Sequence, residues 1–363
     1  MTDSTDTASG LTDDLWPAVN ALLTGVSPED AQAHGLGPLV AFRRNLVGAP
    51  LPEFLAIEAR VAAFAMLSAR PLLERIRDGC DGPLVLMKGP ELALRYPGGA
   101  RGFVDLDLLA PEPRRTHDQL RSAGFVEAGE EVTFVQPPHH LRPLRWPELP
   151  LQVEIHGKPK WPNGLQAPSA DSIIGVARPS NLGVEGILTP EDAQHALLLA
   201  AHAWAHEPLW RLRDLVDVRA LASKSERAAI ERIAQDWGLR RLWRTTDRVT
   251  EAVLGKDQMP LLVRLWAGHL LEPRERSVLE NHLRDLMAAY WALPLTAALA
   301  TTADALVEDF FPSPEESWSD RLSRMLRASR NANTPMSDHK RRRGEPRTSG
   351  RNRRRRQDFR RPR

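Results

Sequence analysis

Asp105 and Asp107 stand two residues apart in FVDLDLL (103–109), surrounded by valine and leucines. In an extended chain alternate residues share a face, roughly 7 Å apart along the strand. The spacing therefore aims both carboxylates to one side. Two ionised carboxylates this close repel each other unless a cation lies between them. A hard divalent cation with oxygen ligands, above all Mg²⁺, suits such a pair. Paired ions in phosphoryl chemistry lie about 3.5–4 Å apart, a span that bridging aspartates can cover. The plainer alternative is a wet edge strand that happens to carry two aspartates.

A third carboxylate is offered by LQVEIHG (151–157), where Gln152, Glu154 and His156 alternate with Val153 and Ile155. Some fifty residues separate this strand from the first, enough chain to return it alongside. His156 shares the face of Glu154, where it would touch a phosphate, orient Glu154 or simply be a structural histidine. Upstream, LMKGPELALRYPGGARG (86–102) supplies Lys88, Gly89 and Arg101. Lysine meets phosphate as a point charge and arginine as a bidentate fork. A surface lysine and a turn arginine are the alternatives. His139 and His140 precede an expected strand and carry no distinct signal. His202 and His206, with His195 before them, have helical spacing. Ala203 stands where a zinc-protease H-E-x-x-H motif needs glutamate, so packing or substrate contact is expected there. For Arg211, Arg213, Asp214 and Asp217 the readings are an internal ion-pair network or a surface facing the cleft.

The elements around these residues follow from the chain's texture. Residues 1–10 read as disordered and 11–81 as helical. SPED at Ser27 is a helix start, and Leu51 to Asp78 forms one long amphipathic helix with a kink expected near Pro71. From Gly82 short apolar runs and glycine turns take over. PLVLMKG, FVDLDLL, EVTFVQ, HHLRPLRW and LQVEIHG read as strands, with a helix ending at Gly124 between the second and third. Residues 82–160 thus form a small mixed sheet. Thr189 is expected to cap the helix that opens a helical region over 185–330. Met287 to Ala303 is uncharged but mostly Ala and Thr, with Pro294 inside, so a buried helical hairpin is expected rather than a membrane span.

Residues 84–125, with VEIHG and then HALLLAAHAWAHEPLWRLRDLVD (195–217), resemble the uncharacterised nucleotidyltransferase family of the DNA polymerase β-like superfamily. The shared pattern is a strand ending in Lys88-Gly89, a short helix, Arg101, the Asp-x-Asp strand, and a helix closing at Gly124-Phe125. The layout matches over about residues 15–325. The resemblance implies an α+β fold: a small mixed-sheet nucleotidyltransferase core between N-terminal helices and a C-terminal helical region. It implies Asp105, Asp107 and Glu154 as catalytic ligands of Mg²⁺ in a two-metal site, with Glu154 helping to deprotonate the attacking group. An acceptor hydroxyl would then attack the α-phosphate of a nucleoside triphosphate and release pyrophosphate. Lys88, Gly89, Arg101 and His156 would bind the nucleotide. Pro90 departs from the wider superfamily and removes one backbone N–H from the phosphate side, so the triphosphate leans more on Gly89 and Lys88.

Of the chain's 363 residues, 337–363 hold 13 Lys or Arg against 3 acidic residues, a net of +10. With a chain total of +2, residues 1–336 carry −8. This Arg-rich tail, the last part of a segment (331–363) expected to be disordered, would bind nucleic acid in a salt-dependent way. The one cysteine, Cys80, excludes a disulfide framework and cysteine-based zinc sites. The N-terminus is polar and acidic, not a signal peptide, and a cytoplasmic protein is expected. Two rivals to the enzyme stay open. One is an inactive nucleotidyltransferase fold that binds nucleic acid through its tail. The other is a toxin-like enzyme that nucleotidylates a protein or a tRNA.

Overall fold

The computed structural model describes residues 15–128, 141–312 and 316–336. The expected strand EVTFVQ, His139, His140 and the Arg-rich tail lie outside the described residues. Four helices come first: α1 (Leu15–Leu23), α2 (Pro28–Ala33), α3 (Gly37–Leu46) and α4 (Glu53–Gly79). Ser27 caps α2 by accepting from the Asp30 N–H at 3.0 Å. α4 is one continuous helix of 27 residues that carries Pro71 inside it.

Seven short strands form one mixed sheet in the order β3-β4-β5-β2-β1-β7-β6. They are β1 (Leu84–Leu86), β2 (Asp105–Leu109), β3 (Val126–Glu127), β4 (Leu144–Arg145), β5 (Gln152–His156), β6 (Arg178–Pro179) and β7 (Ile187–Thr189). The pairs β2/β5 and β1/β7 are parallel; the other neighbours are antiparallel. Helix α5 (Pro90–Ala93) follows β1, α6 (Pro113–Ser122) follows β2, and α7 (Ala170–Ile174) precedes β6. The sheet reaches beyond the expected span of 82–160, because β6 and β7 add to it at β1. Thr189 ends a strand instead of capping a helix. Its pairing with Arg178 holds it extended, and the next helix starts three residues later.

Alternation splits the sheet's side chains between two cores. Leu84, Leu86, Leu106, Leu108, Val153 and Ile155 pack on Leu72, Leu73 and Ile76 of α4 and Leu120 of α6. Val85, Met87 and Leu109 face the other way, into the core built on the C-terminal helices. Asp105, Asp107, Glu154 and His156 have that second parity, so an apolar face anchors each acidic strand while its polar residues point toward the helices.

Those helices are α8 (Asp192–His206), α9 (Leu212–Ala222), α10 (Arg227–Asp236), α11 (Arg240–Val253), α12 (Leu261–Ala267), α13 (Val278–Met287), α14 (Ala289–Ala292), α15 (Leu295–Phe310) and α16 (Trp318–Arg330). Ser277 and Glu280 form a full capping box at the start of α13. The hairpin expected over Met287 to Ala303 exists as α14 and α15 and is buried on one side: Ala288, Ala289, Ala292, Leu293 and Ala298 are buried, while Leu295 and Leu299 on α15 are exposed. Among the described residues no helix is long and apolar enough to cross a membrane. Residues 331–336 turn back onto α13, with the Val278 N–H bonded to the Thr334 carbonyl and a bridge between Ser277 and Pro335.

Three buried histidines tie distant segments together. His34 accepts from the Leu212 N–H at Nδ1, so its Nε2–H donates to the Arg274 carbonyl at 2.9 Å. His195 Nε2 meets the Met87 carbonyl at 2.7 Å, fixing α8 to the end of β1. His269 bonds the Trp210 carbonyl and stacks on His34 with centroids 6.0 Å apart. Burial lowers His34 and His195 to about 4, so both are neutral at pH 7. The unfolded chain takes up these protons near pH 6.5 and the folded chain does not. Stability is therefore full above pH 6.5 and falls as pH drops toward 4. The expected loss at pH 5 is about 2 kcal/mol per histidine. Urea unfolding at pH 7 and pH 5, on the protein and on His195→Asn, measures it; the variant should lose part of the pH dependence.

Candidate active site

The parallel register of β2 and β5 sets Asp105 opposite Gln152, Asp107 opposite Glu154 and Leu109 opposite His156. Asp107 and Glu154 are thus neighbours across adjacent strands. His156 Nε2 lies 2.9 Å from Asp107 Oδ1 and 3.7 Å from Glu154 Oε2. One ligand atom from each of Asp107, Glu154 and His156 falls within 4.8 Å of the others, close enough to share an ion. Asp105 shares the face but stands outside that group, because its register partner is Gln152 and not Glu154. The structure therefore brings together two of the three expected carboxylates, and a histidine joins them.

Lys88 and Gly89 complete one wall. Lys88 Nζ is 3.8 Å from Asp107 Oδ2. Gly89 adopts φ 68° and ψ −120°, and a Cβ there would lie 3.0 Å from the Asp105 carbonyl. Only glycine accepts both that conformation and that approach. Gly89→Ala is expected to cost about 1–3 kcal/mol of stability and to displace Lys88 from Asp107. Thermal unfolding and activity of the variant would show the two effects together.

α8 supplies the opposite wall. Lys88 Nζ lies 2.5 Å from Nε2 and 2.6 Å from Nδ1 of His202. Lys160, four residues beyond His156, places Nζ 2.7 Å from both ring nitrogens of His206. The two imidazoles sit 4.5 Å apart. Burial, then the charges of Lys88, His206 and Lys160, hold His202 well below the usual imidazole range, so it stays neutral and accepts from Lys88. The outcome is two lysines, each resting on a histidine of α8, with Lys88 also beside Asp107. The i, i+4 spacing of His202 and His206 was the sequence signal for this wall. Lys160 gave none beyond its nearness to β5.

Arg101 is not in this site. It is 6% exposed, and its Nε and Nη2 each donate to Asp217 at 2.7 Å. The Tyr96 hydroxyl donates to the same carboxylate at 2.8 Å. The guanidinium fork is spent on α9, so the expectation that Arg101 contacts phosphate is corrected. Asp217 belongs to this internal network rather than to a cleft-facing surface. Gly98, at φ 59°, shapes the turn before Arg101, where a Cβ would collide with Phe42 at 2.4 Å.

The donor set fits a divalent cation: two carboxylates supply hard oxygen ligands that suit Mg²⁺ or Mn²⁺, and the imidazole beside them is bonded to Asp107. A mixed sheet thus presents this group beside a lysine and a glycine turn. The family model for uncharacterised nucleotidyltransferases matches residues 31–255, and the chain belongs to that family. No match was found among curated proteins or among solved structures.

Proposed function

We propose that this protein is a metal-dependent enzyme that transfers a nucleoside monophosphate from a nucleoside triphosphate to an acceptor hydroxyl and releases pyrophosphate. The observation that carries the reading is the cluster of Asp107, Glu154 and His156 on adjacent parallel strands, faced by Lys88. Asp107 and Glu154, with Asp105 beside them, would hold the cation, Mg²⁺ or Mn²⁺. When bound, it would neutralise phosphate charge and make a hydroxyl more acidic. Glu154, the more open carboxylate of the pair, would accept the proton of the attacking hydroxyl. His156 holds the Asp107 carboxylate through its Nε2 and so orients the site. Lys88 and Lys160, each resting on a histidine of α8, would neutralise the triphosphate. Gly89 lets the Lys88 turn lie against the acidic strand.

The test is release of pyrophosphate from each of the four nucleoside triphosphates, with Mg²⁺ or Mn²⁺, in the presence of cellular RNA, protein or small hydroxyl compounds. Labelling of one acceptor, lost on chelation, is the expected result. No turnover with any triphosphate and either metal would overturn the proposal. Lys88→Met is expected to raise the triphosphate KM about tenfold or more, because it removes a charge-assisted contact. Steady-state kinetics at saturating metal would measure it.

A further inference from the structure

We propose that the groove between α10 and α11 binds RNA and delivers its end to the carboxylate site. Naming the acceptor in this way rests on the transferase reading; RNA binding in the groove does not. The groove has a volume of about 890 Å³ and is open to solvent, lined by Arg227, Arg232, Arg240, Arg244, Arg248 and Glu231. All five arginines are exposed. Glu231 pairs with Arg244 at 3.0 Å, and Asp247 pairs with Arg227. Five cations against those two carboxylates leave an excess of three positive charges.

An arginine-rich coding bias would scatter arginines without building up charge, and residues 1–336 as a whole carry −8. Against that acidic background the groove is a local reversal of sign, and such a reversal concentrates polyanions. Arg240, Arg244 and Arg248 recur every four residues along one face of α11, a step of about 6 Å each. A phosphodiester strand offers a charge at every residue and two oxygens per charge to each guanidinium fork. An acidic peptide offers neither regularity. The groove is open to solvent, which suits an extended strand better than a small molecule that needs enclosure.

Its position links it to the catalytic residues. Trp237, at the tip between α10 and α11, packs edge-on against Trp161 with centroids 5.8 Å apart. Trp161 follows directly on Lys160, the partner of His206 beside the site. One end of the groove is thus fixed to the loop that leaves β5, the strand of Glu154 and His156. We commit to RNA because its single-stranded ends carry the vicinal hydroxyls that an acceptor needs, and because proteins read RNA chiefly at such ends and loops.

The experiment uses the full chain, with the tail present. Binding of a labelled single-stranded RNA is measured against salt for the protein and for the variant combining Arg232→Gln, Arg240→Gln, Arg244→Gln and Arg248→Gln. These are surface positions, so the variant should fold, as its unfolding curve will show. The affinity is expected to fall at least about tenfold, and the log–log salt slope to shrink by about 3 for four lost contacts. Photo-crosslinked RNA is expected on peptides within 227–250. Unchanged affinity and slope, or crosslinks confined to 337–363, would overturn the groove. Equal binding of DNA of the same sequence, or stronger binding of polyglutamate, would overturn RNA as its occupant. If the groove binds RNA and no transfer occurs under any condition, the groove stands and the transferase reading fails.

Discussion

Asp107→Asn is expected to lower pyrophosphate release about a thousandfold while leaving the protein folded. The carboxylate is buried at the centre of the site, bonded to His156 and 3.8 Å from Lys88. Asparagine keeps the shape and removes the charge. A cation then loses its central anionic ligand, and the several kcal/mol of charge stabilisation it supplies goes with it. At about 1.4 kcal/mol per factor of ten, that loss reaches three orders of magnitude. Glu154→Gln should behave alike, since it is the register partner of Asp107. His156→Ala should instead weaken metal affinity about 10–100-fold, the usual cost of losing a residue that orients a ligand. Calorimetric titration of Mn²⁺ into each variant separates metal loss from catalytic loss. Full activity of Asp107→Asn would refute the site.

The site was legible to the extent that strand periodicity was. Alternation in FVDLDLL and VEIH fixed which residues share a face, and a fifty-residue separation suggested that the strands meet. The register was not legible. Whether Asp105 or Asp107 stands opposite Glu154 depends on where β2 begins pairing, and no single residue announces that. Hence His156 entered the cluster, where the sequence had favoured Asp105. The α8 wall was half visible: His202 and His206 signalled a helical face, but which residues that face meets is set by tertiary packing. β6 and β7 are too short, at two and three residues, to show any period. Nothing in the sequence therefore marks the sheet's far edge, and Thr189-Pro190-Glu191-Asp192 reads as a helix start. Arg101 failed for another reason. A guanidinium fork fits a carboxylate as well as a phosphate, and its actual partner lies 116 residues further along the chain.

That misplacement sets up the second large effect. Asp217→Asn is expected to destabilise the fold by about 3–5 kcal/mol, the usual cost of leaving a buried charge without its partner. Asp217 accepts from Arg101 twice and from Tyr96 once, all three side chains being buried. Burial works against its charge, but the Arg101 guanidinium outweighs that and holds the carboxyl below its usual range. In the variant the guanidinium faces a neutral amide in a dry interior, and the joint between the Pro97–Gly99 turn and α9 loosens. Arg101→Met should destabilise by a similar amount, leaving Asp217 as the unmatched charge. Arg101→Met combined with Asp217→Leu should recover much of the loss, because a buried pair replaced by apolar groups of similar volume is often neutral or better. Urea unfolding of the four proteins closes the cycle. A phosphate-binding Arg101 predicts the reverse: near-normal stability in Arg101→Met, a raised triphosphate KM, and no rescue from Asp217→Leu.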